Sequence, residues 1–323
     1  MHQNISYTDF LIMQMRRIYY KINDALAIRY LMKNWFEIIL FRIGIKKKVI
    51  LKFRDNTNIL IQNKDEYFKF WDSEQGQLKL LNILNFKTKI NINRNKHLIN
   101  FAYKNYPISF YYDSERQLSN TIGLINEQFV REDYKLLNVK GKRVIDIGAN
   151  IGDAAIYFAL KGAKHVYAFE PYHYSFNIAK KNIKINRLEK KINIINQGCG
   201  KDEVIKMNAN IKNYGGSIIQ TSKTGKKIRI NSLETIVENY NIKNGILKID
   251  CEGCEYAILL NSKKETLQIF DEIMIEYHYG YLNLIKKLRA CNFRTSYSKP
   301  RFMYNRDLDQ DIAIGMIYAK KII

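Results

Sequence analysis

The octapeptide KIDCEGCE, residues 248–255, holds two thiols and three carboxylates. Cys251 and Cys254 spell C-x-x-C, a spacing used by redox pairs and by half of a structural zinc site. A zinc site needs a second C-x-x-C or an H-x-x-x-H to complete four ligands, and the chain has neither. A redox pair depends on a stabilised thiolate, which the flanking Asp250, Glu252 and Glu255 oppose. The acids are therefore the better candidates for chemistry. Asp250 and Glu252 are candidate bases for drawing a proton from a substrate. His278, of a type that titrates near neutral pH, is a third. Glu255 favours the start of a following helix. Asp250, Glu252, Glu276 and His278 would also suit a divalent ion. Their spacing is not diagnostic, and no metal is assigned.

A second group lies upstream, in VIDIGANIGD (144–153). Gly148 and Gly152 permit a tight turn and a close approach of backbone to ligand at a helix start. The pattern is not the dinucleotide G-x-G-x-x-G. Asp146 and Asp153 would repel a pyrophosphate there, whereas they suit a cofactor carrying an amino group and a sulfonium. Glu170, in AFEP (168–171), stands 22 residues beyond Gly148, where an acid accepts both hydroxyls of a ribose. Taken in order, these features favour S-adenosylmethionine over a nicotinamide cofactor.

Such residues need strand ends to hold them. From 143 onward strand-like and helix-like runs alternate, the signature of a mostly parallel sheet wound on both faces. RVIDI, HVYAFE, INIIN, ILKID and DEIMIEYH read as five strands. GDAAIYFALKG, YSFNIAKKNIKIN, NSLETIVENY, CEYAILLN and YLNLIKKLRAC read as the helices between and after them. Gly162 is placed to end the first helix in a left-handed turn, and Asn231 with Glu234 forms a capping-box pattern. FRTSYS and DIAIGMIYAK add a closing pair of strands. Ligands of such sheets bind beyond the carboxyl ends of the strands, where the strand order reverses. Every candidate named above stands at such an end.

Five segments in this order, VIDIGANIGD, AFEP, KNIKIN, LKIDCEGCEYAIL and IMIEYH, resemble the successive motifs of the FkbM-type family of S-adenosylmethionine-dependent methyltransferases. The resemblance runs from about 140 to 295. It implies a class I methyltransferase fold, Rossmann-like and doubly wound, and transfer of a methyl group to a hydroxyl of a sugar, glycan, glycolipid or other small molecule. It also implies that Asp146, Gly148, Asn150 and Gly152 form the cofactor loop, that Glu170 holds the ribose and that the segment around Gln197 approaches the adenine. The family pattern K-I-D-V-E-G-A-E makes Cys251 and Cys254 replacements of small apolar residues. Where the family shows S-L-D, this chain has SLET.

The remaining residues bound the partners. Of 323 residues, 46% are hydrophobic, enough for a sizeable core. Fifty-three basic against 31 acidic residues give a net charge of +22, spread along the chain, and such a surface attracts polyanions. RNA methylation at a ribose 2′-hydroxyl, through Lys248, Asp250 and Glu276, is the alternative activity. The chain has no N-P-P-Y tetrapeptide and no Pro-Cys pair, which argues against amino-group and cytosine-carbon methylation. Residues 1–110 read as a helical plus β appendage, and 111–323 as the α/β domain. Apolar residues at three-to-four spacing predict helix over 8–44, including Leu11, Met15, Ile18 and Ile22. WFEIILFRIGIKKK within it suits a membrane surface or the domain's own core. NYGGSI (213–218) reads as a loop able to cover the acceptor. No apolar run is long enough to span a bilayer and no secretory leader opens the chain, so a cytoplasmic location is expected.

Overall fold

The computed structural model describes residue 5 and residues 32–207, 225–305 and 310–322, apart from 55, 72, 74, 77–78 and 80–89. The expected helix over 8–31 and the NYGGSI loop lie outside these residues. Two compact units emerge: 6–87 with 114–123, and 1–5 with 88–113 and 124–323. The strands between 88 and 113 thus belong with the carboxy-terminal unit.

In the first unit, α1 (Trp35–Arg42) is the described part of the long helix expected from the apolar stripes. It starts at 35 because Met32 is drawn into a bridge with Phe53. β1 (Val49–Lys52) and β2 (Asn58–Ile61) form an antiparallel pair with Val49 opposite Ile61, and α2 (Lys64–Trp71) follows. Val49 and Leu51 point inward while Ile50 and Lys52 face solvent, the period-two alternation of a half-buried strand. Ile38, Phe41, Leu51, Phe53, Tyr67 and Phe70 make this unit's core. The helix α3 (Glu115–Ile125) begins in this unit and passes into a π-helical turn, Asn126–Val130.

The second unit opens with a meander of β3 (Asn91–Asn93), β4 (Leu98–Tyr103) and β5 (Tyr106–Tyr111). Its main body is an eight-stranded sheet. Along the chain come β6 (Arg143–Ile147), α4 (Asp153–Leu160), β7 (His165–Phe169), α5 (His173–Ile185) and β8 (Ile192–Ile195). A small sheet follows from β9 (Gly198–Cys199), β10 (Glu203–Met207) and β11 (Lys226–Asn231), then α6 (Leu233–Asn239). β12 (Gly245–Ile249), α7 (Glu255–Asn261), α8 (Lys264–Leu267), β13 (Phe270–Tyr277) and α9 (Leu282–Ala290) continue the alternation. β14 (Phe293–Tyr297), β15 (Arg301–Asn305) and β16 (Gln310–Lys321) complete it.

The spatial order is β14-β16-β13-β12-β6-β7-β8, with β15 paired to β16. β8, β7, β6, β12 and β13 run parallel, and β16 runs antiparallel to β13 and β14. The order reverses between β6 and β12. All five residues of β12 and four of β6 are buried, as expected of parallel strands covered on both faces. α4 is buried along nearly its whole length, which its alanines permit. Gly162 takes φ 90 just beyond it, in the left-handed region. Asn182 of α5 and Asn186, which caps its end, serve β5 in place of a neighbouring strand. Asn186 Oδ1 accepts from Ser109 N–H at 3.0 Å and Asn182 Oδ1 from Tyr111 N–H at 2.8 Å.

The capping box expected at 231–234 forms differently. Ser232 is the N-cap, its Oγ accepting from Thr235 N–H, because Asn231 still belongs to β11. Glu234 accepts instead from Lys263 N–H at 2.8 Å. No helix among the described residues is long and apolar enough to cross a membrane.

Candidate active site

The β6–α4 turn and the β12–α7 turn meet at the point where the strand order reverses. Gly148 has φ 78, and a Cβ placed on it would lie 1.7 Å from the carbonyl oxygen of Asp250. Only glycine fits such an approach. Gly148 and Ala149 both donate to Phe169 O at 3.0 Å, which lashes the turn to the end of β7. Gly152 has φ 83 at the start of α4, against Ala179.

Glu170 follows β7 and is almost wholly buried. Its Oε2 accepts from Asn150 N–H at 2.9 Å and its Oε1 from Tyr172 N–H at 2.8 Å. Both oxygens keep a second lone pair for a ligand. The side-chain oxygen of Asn150 is buried without a hydrogen-bond partner and lies on a cavity wall. Gln197 sits beyond β8 with its Oε1 accepting from Asn231 Nδ2 at 2.7 Å.

That cavity is lined by Glu127, Gln128, Asp133, Tyr134, Gly148, Asn150, Asp153, Lys248, Asp250 and Glu276, with Leu124, Ala154 and Met316. Of the sequence candidates it brings together Gly148, Asn150, Asp153, Lys248, Asp250 and Glu276. Asp146, Gly152, Glu170, Gln197, Glu252 and His278 are not on its wall. Asp146 is fully buried and paired with Lys248, whose Nζ lies 3.0 Å from Oδ1. The same ammonium donates to Gly148 O at 2.9 Å and stands 3.8 Å from Asp250 Oδ2. Asp146 is thus tied to the glycine turn through Lys248. Tyr134 donates to Asp250 Oδ2 at 3.2 Å.

Glu127, Gln128, Asp133 and Tyr134 are not among the sequence candidates. Nothing in their spacing marks them, because they reach the wall through tertiary folding and not through a motif.

His278, at the end of β13, is clasped between two carboxylates. Its Nδ1 is 2.9 Å from Glu255 Oε1 and its Nε2 is 3.1 Å from Glu252 Oε2. Burial pulls the ring's pKa down, but the hydrogen bonds to Glu252 and Glu255 outweigh it and raise it well above the ordinary value. The ring thus holds its proton more tightly than a free histidine does. Burial, reinforced by repulsion from Asp250, pushes Glu276 up to about 8.

The thiols also differ from the sequence reading. The sulfurs of Cys251 and Cys254 are bonded to each other, with Cα atoms 5.5 Å apart. The resulting ring encloses Glu252 and Gly253, whose φ values are 57 and 113.

Three carboxyls around this centre share one trend with pH. Burial pushes Glu170 up to about 7 and Asp153 and Glu276 up to about 8. Each binds its proton more tightly folded than unfolded. The stability this contributes is complete below the unfolded values near 4 and is lost as pH rises through 7 and 8. His278, also raised, acts in the same direction. The thermal midpoint of the ligand-free protein should therefore fall between about pH 5 and pH 9, and Glu276→Gln should flatten the fall. A level or rising midpoint over that span would contradict these assignments.

Five parallel strands in the order third, second, first, fourth, fifth, extended by an antiparallel β16 and by β14, with a glycine turn at the reversal, define a class I methyltransferase fold. Residues 146–295 match the family described as Methyltransferase FkbM domain. Over 55 residues the chain is 46% identical to a ribosomal protein L11 methyltransferase of Carboxydothermus hydrogenoformans, covering 17% of this chain and 18% of that one. The match thus spans less than a fifth of that curated relative. Among solved structures, a SAM-dependent methyltransferase from Agrobacterium tumefaciens aligns over 70% of each chain at 10% identity and TM-score 0.43. TrmK of M. capricolum, solved with S-adenosyl-homocysteine, aligns over 59% of this chain and 66% of its own at 21% identity and TM-score 0.37.

Proposed function

We propose that the protein is an S-adenosylmethionine-dependent O-methyltransferase acting on a hydroxyl of a sugar, glycan, glycolipid or other small molecule. The observation that carries the reading is the β6–α4 turn. It pairs glycine geometry with a buried, unpartnered Asn150 side-chain oxygen on a residue that lines the cavity, beside a Glu170 whose oxygens can each accept once more. A sulfonium donor with an amino group and a ribose brings positive charge and hydroxyl donors to a lining rich in carboxylates.

In the reaction the acceptor oxygen attacks the methyl carbon in line. The carbon–sulfur bond breaks, its electron pair stays on sulfur, and the hydroxyl proton passes to the enzyme. Asp250, fixed by Tyr134 and Lys248, orients the hydroxyl. Glu276, pushed to about 8, takes the proton, since a base works best with a pKa near the working pH. Alignment of the two reactants supplies about 7–11 kcal/mol of barrier lowering, against about 3–5 kcal/mol from a general base. Glu276→Gln should accordingly leave a slow enzyme, about 10²- to 10⁴-fold down in kcat, while KM for the donor is unchanged.

The net charge of +22 favours a second reading, methylation of an RNA ribose 2′-hydroxyl. Against it, the cavity wall presents Glu127, Asp133, Asp153, Asp250 and Glu276, with Lys248 as the one cationic side chain among the described residues that line it. A phosphate is poorly received there. The two readings separate by assay. Labelled donor should pass its methyl group to glycan or small-molecule hydroxyls, and RNA should bind without being methylated. Labelled RNA in place of labelled small acceptors would establish the second.

A further inference from the structure

We propose that Asp250, Glu252 and His278 form a binding site for a divalent cation of the manganese–magnesium class. One ligand atom from each lies within 4.8 Å of the others. That is the spread of a single coordination shell, since ligands about 2.0–2.4 Å from an ion stand at most about 4–5 Å apart. The three residues come from two adjacent strand ends: Asp250 and Glu252 follow β12, and His278 follows β13.

The ring of His278 is set for ligation by a residue outside the cluster. Glu255 is fully buried, and its Oε1 lies 2.9 Å from Nδ1 and 3.0 Å from the His278 backbone nitrogen. Its Oε2 accepts from Gly253 N–H at 2.8 Å. Glu255 thereby fixes the tautomer and turns Nε2 toward Glu252, 3.1 Å away. A carboxylate holding the far nitrogen of an imidazole is how proteins orient metal-binding histidines. A cation would sit between Nε2 and the Glu252 carboxylate.

A second observation stands apart from these contacts. The side-chain oxygen of Gln128 is buried without a hydrogen-bond partner among the described residues, and Gln128 shares a cavity wall with Asp250. Water on an ion held by Asp250 would supply the missing donor.

The donor set selects the ion. Two carboxylates and one imidazole suit hard or borderline cations, and the nitrogen favours manganese over magnesium. The thiols on either side of Glu252 are bonded to each other and offer no soft ligand. Next to the cavity, the ion would act as a Lewis acid on the acceptor hydroxyl. This role rests on the methyl-transfer reading; cation binding itself does not.

The test uses full-length protein freed of metal with a chelator. Free Mn²⁺ is followed by electron paramagnetic resonance, with Mg²⁺ as competitor and S-adenosylhomocysteine binding measured separately. One Mn²⁺ per chain, displaced by Mg²⁺ and weakened about tenfold or more in both Glu252→Gln and His278→Gln, is expected. Glu252 is partly exposed, so its variant remains informative if the histidine variant does not fold. No Mn²⁺ bound at about 1 mM, equal affinity in the folded variants, or binding that Mg²⁺ does not displace would overturn the proposal. S-adenosylhomocysteine binding that persists in these cases leaves the methyltransferase reading standing.

Discussion

Lys248→Met is expected to destabilise the protein by about 3–5 kcal/mol, because it strands the Asp146 carboxylate in the interior. The ammonium and the carboxylate are 2% and 0% exposed and 3.0 Å apart. An ion pair this deep contributes little net stability over apolar residues of the same shape, but removing one member leaves an uncompensated charge. The double variant Lys248→Met with Asp146→Leu should therefore recover more than half of the loss. Chemical unfolding of wild type, both single variants and the double variant completes the cycle. A single variant that loses less than about 1 kcal/mol would show that the pair is more hydrated than its burial implies. The effect extends to binding. Lys248 also donates to Gly148 O at 2.9 Å, so a donor should bind more weakly even where the variant remains folded.

Gly148→Ala carries the second large effect, and the protein contains its own control. Gly141 has φ 71, close to the 78 of Gly148, but a Cβ at Gly141 would meet nothing within 4 Å. Gly141→Ala should therefore cost only the backbone strain of a left-handed residue, about 1–2 kcal/mol. At Gly148 the added carbon falls 1.7 Å from Asp250 O, so the β6–α4 and β12–α7 turns must part. A further 1–3 kcal/mol or so is expected, in the range of overpacked cores. Donor binding should be lost as well, since both walls of the cavity shift. Equal destabilisation by the two substitutions would show that the turns do not meet as described.

Much of this arrangement was legible in the residues. The five parallel strands read clearly because buried strands are continuous apolar runs, as in RVIDI and ILKID, and each is punctuated by glycine or acid. The pairing of β14 and β16 was legible for the same reason. The short strands β9, β10 and β11 were not. Two residues of Gly198–Cys199 and the exposed face of Glu203–Met207 carry no pattern that separates strand from loop. The site divided along a similar line. Gly148, Asn150 and Asp250 are dictated by local turn chemistry and lie on the cavity wall. A spacing cannot reveal that Asp146 pairs with Lys248, about a hundred positions away. Nor can it reveal that Glu252 and Glu255 clasp the ring of His278 from outside its strand. Glu276 lies one strand-face repeat before His278, yet its suitability as a base comes from burial, which sequence does not display.

The central claim is that the β6–α4 turn and Glu170 hold the nucleoside end of a sulfonium donor. Calorimetric titration of the purified protein with S-adenosylhomocysteine tests it without any knowledge of the acceptor. Saturable binding of one molecule per chain, weakened about 10- to 100-fold by Glu170→Gln with the thermal midpoint preserved, is the predicted result. The absence of any heat of binding, or an affinity untouched by Glu170→Gln, would contradict it.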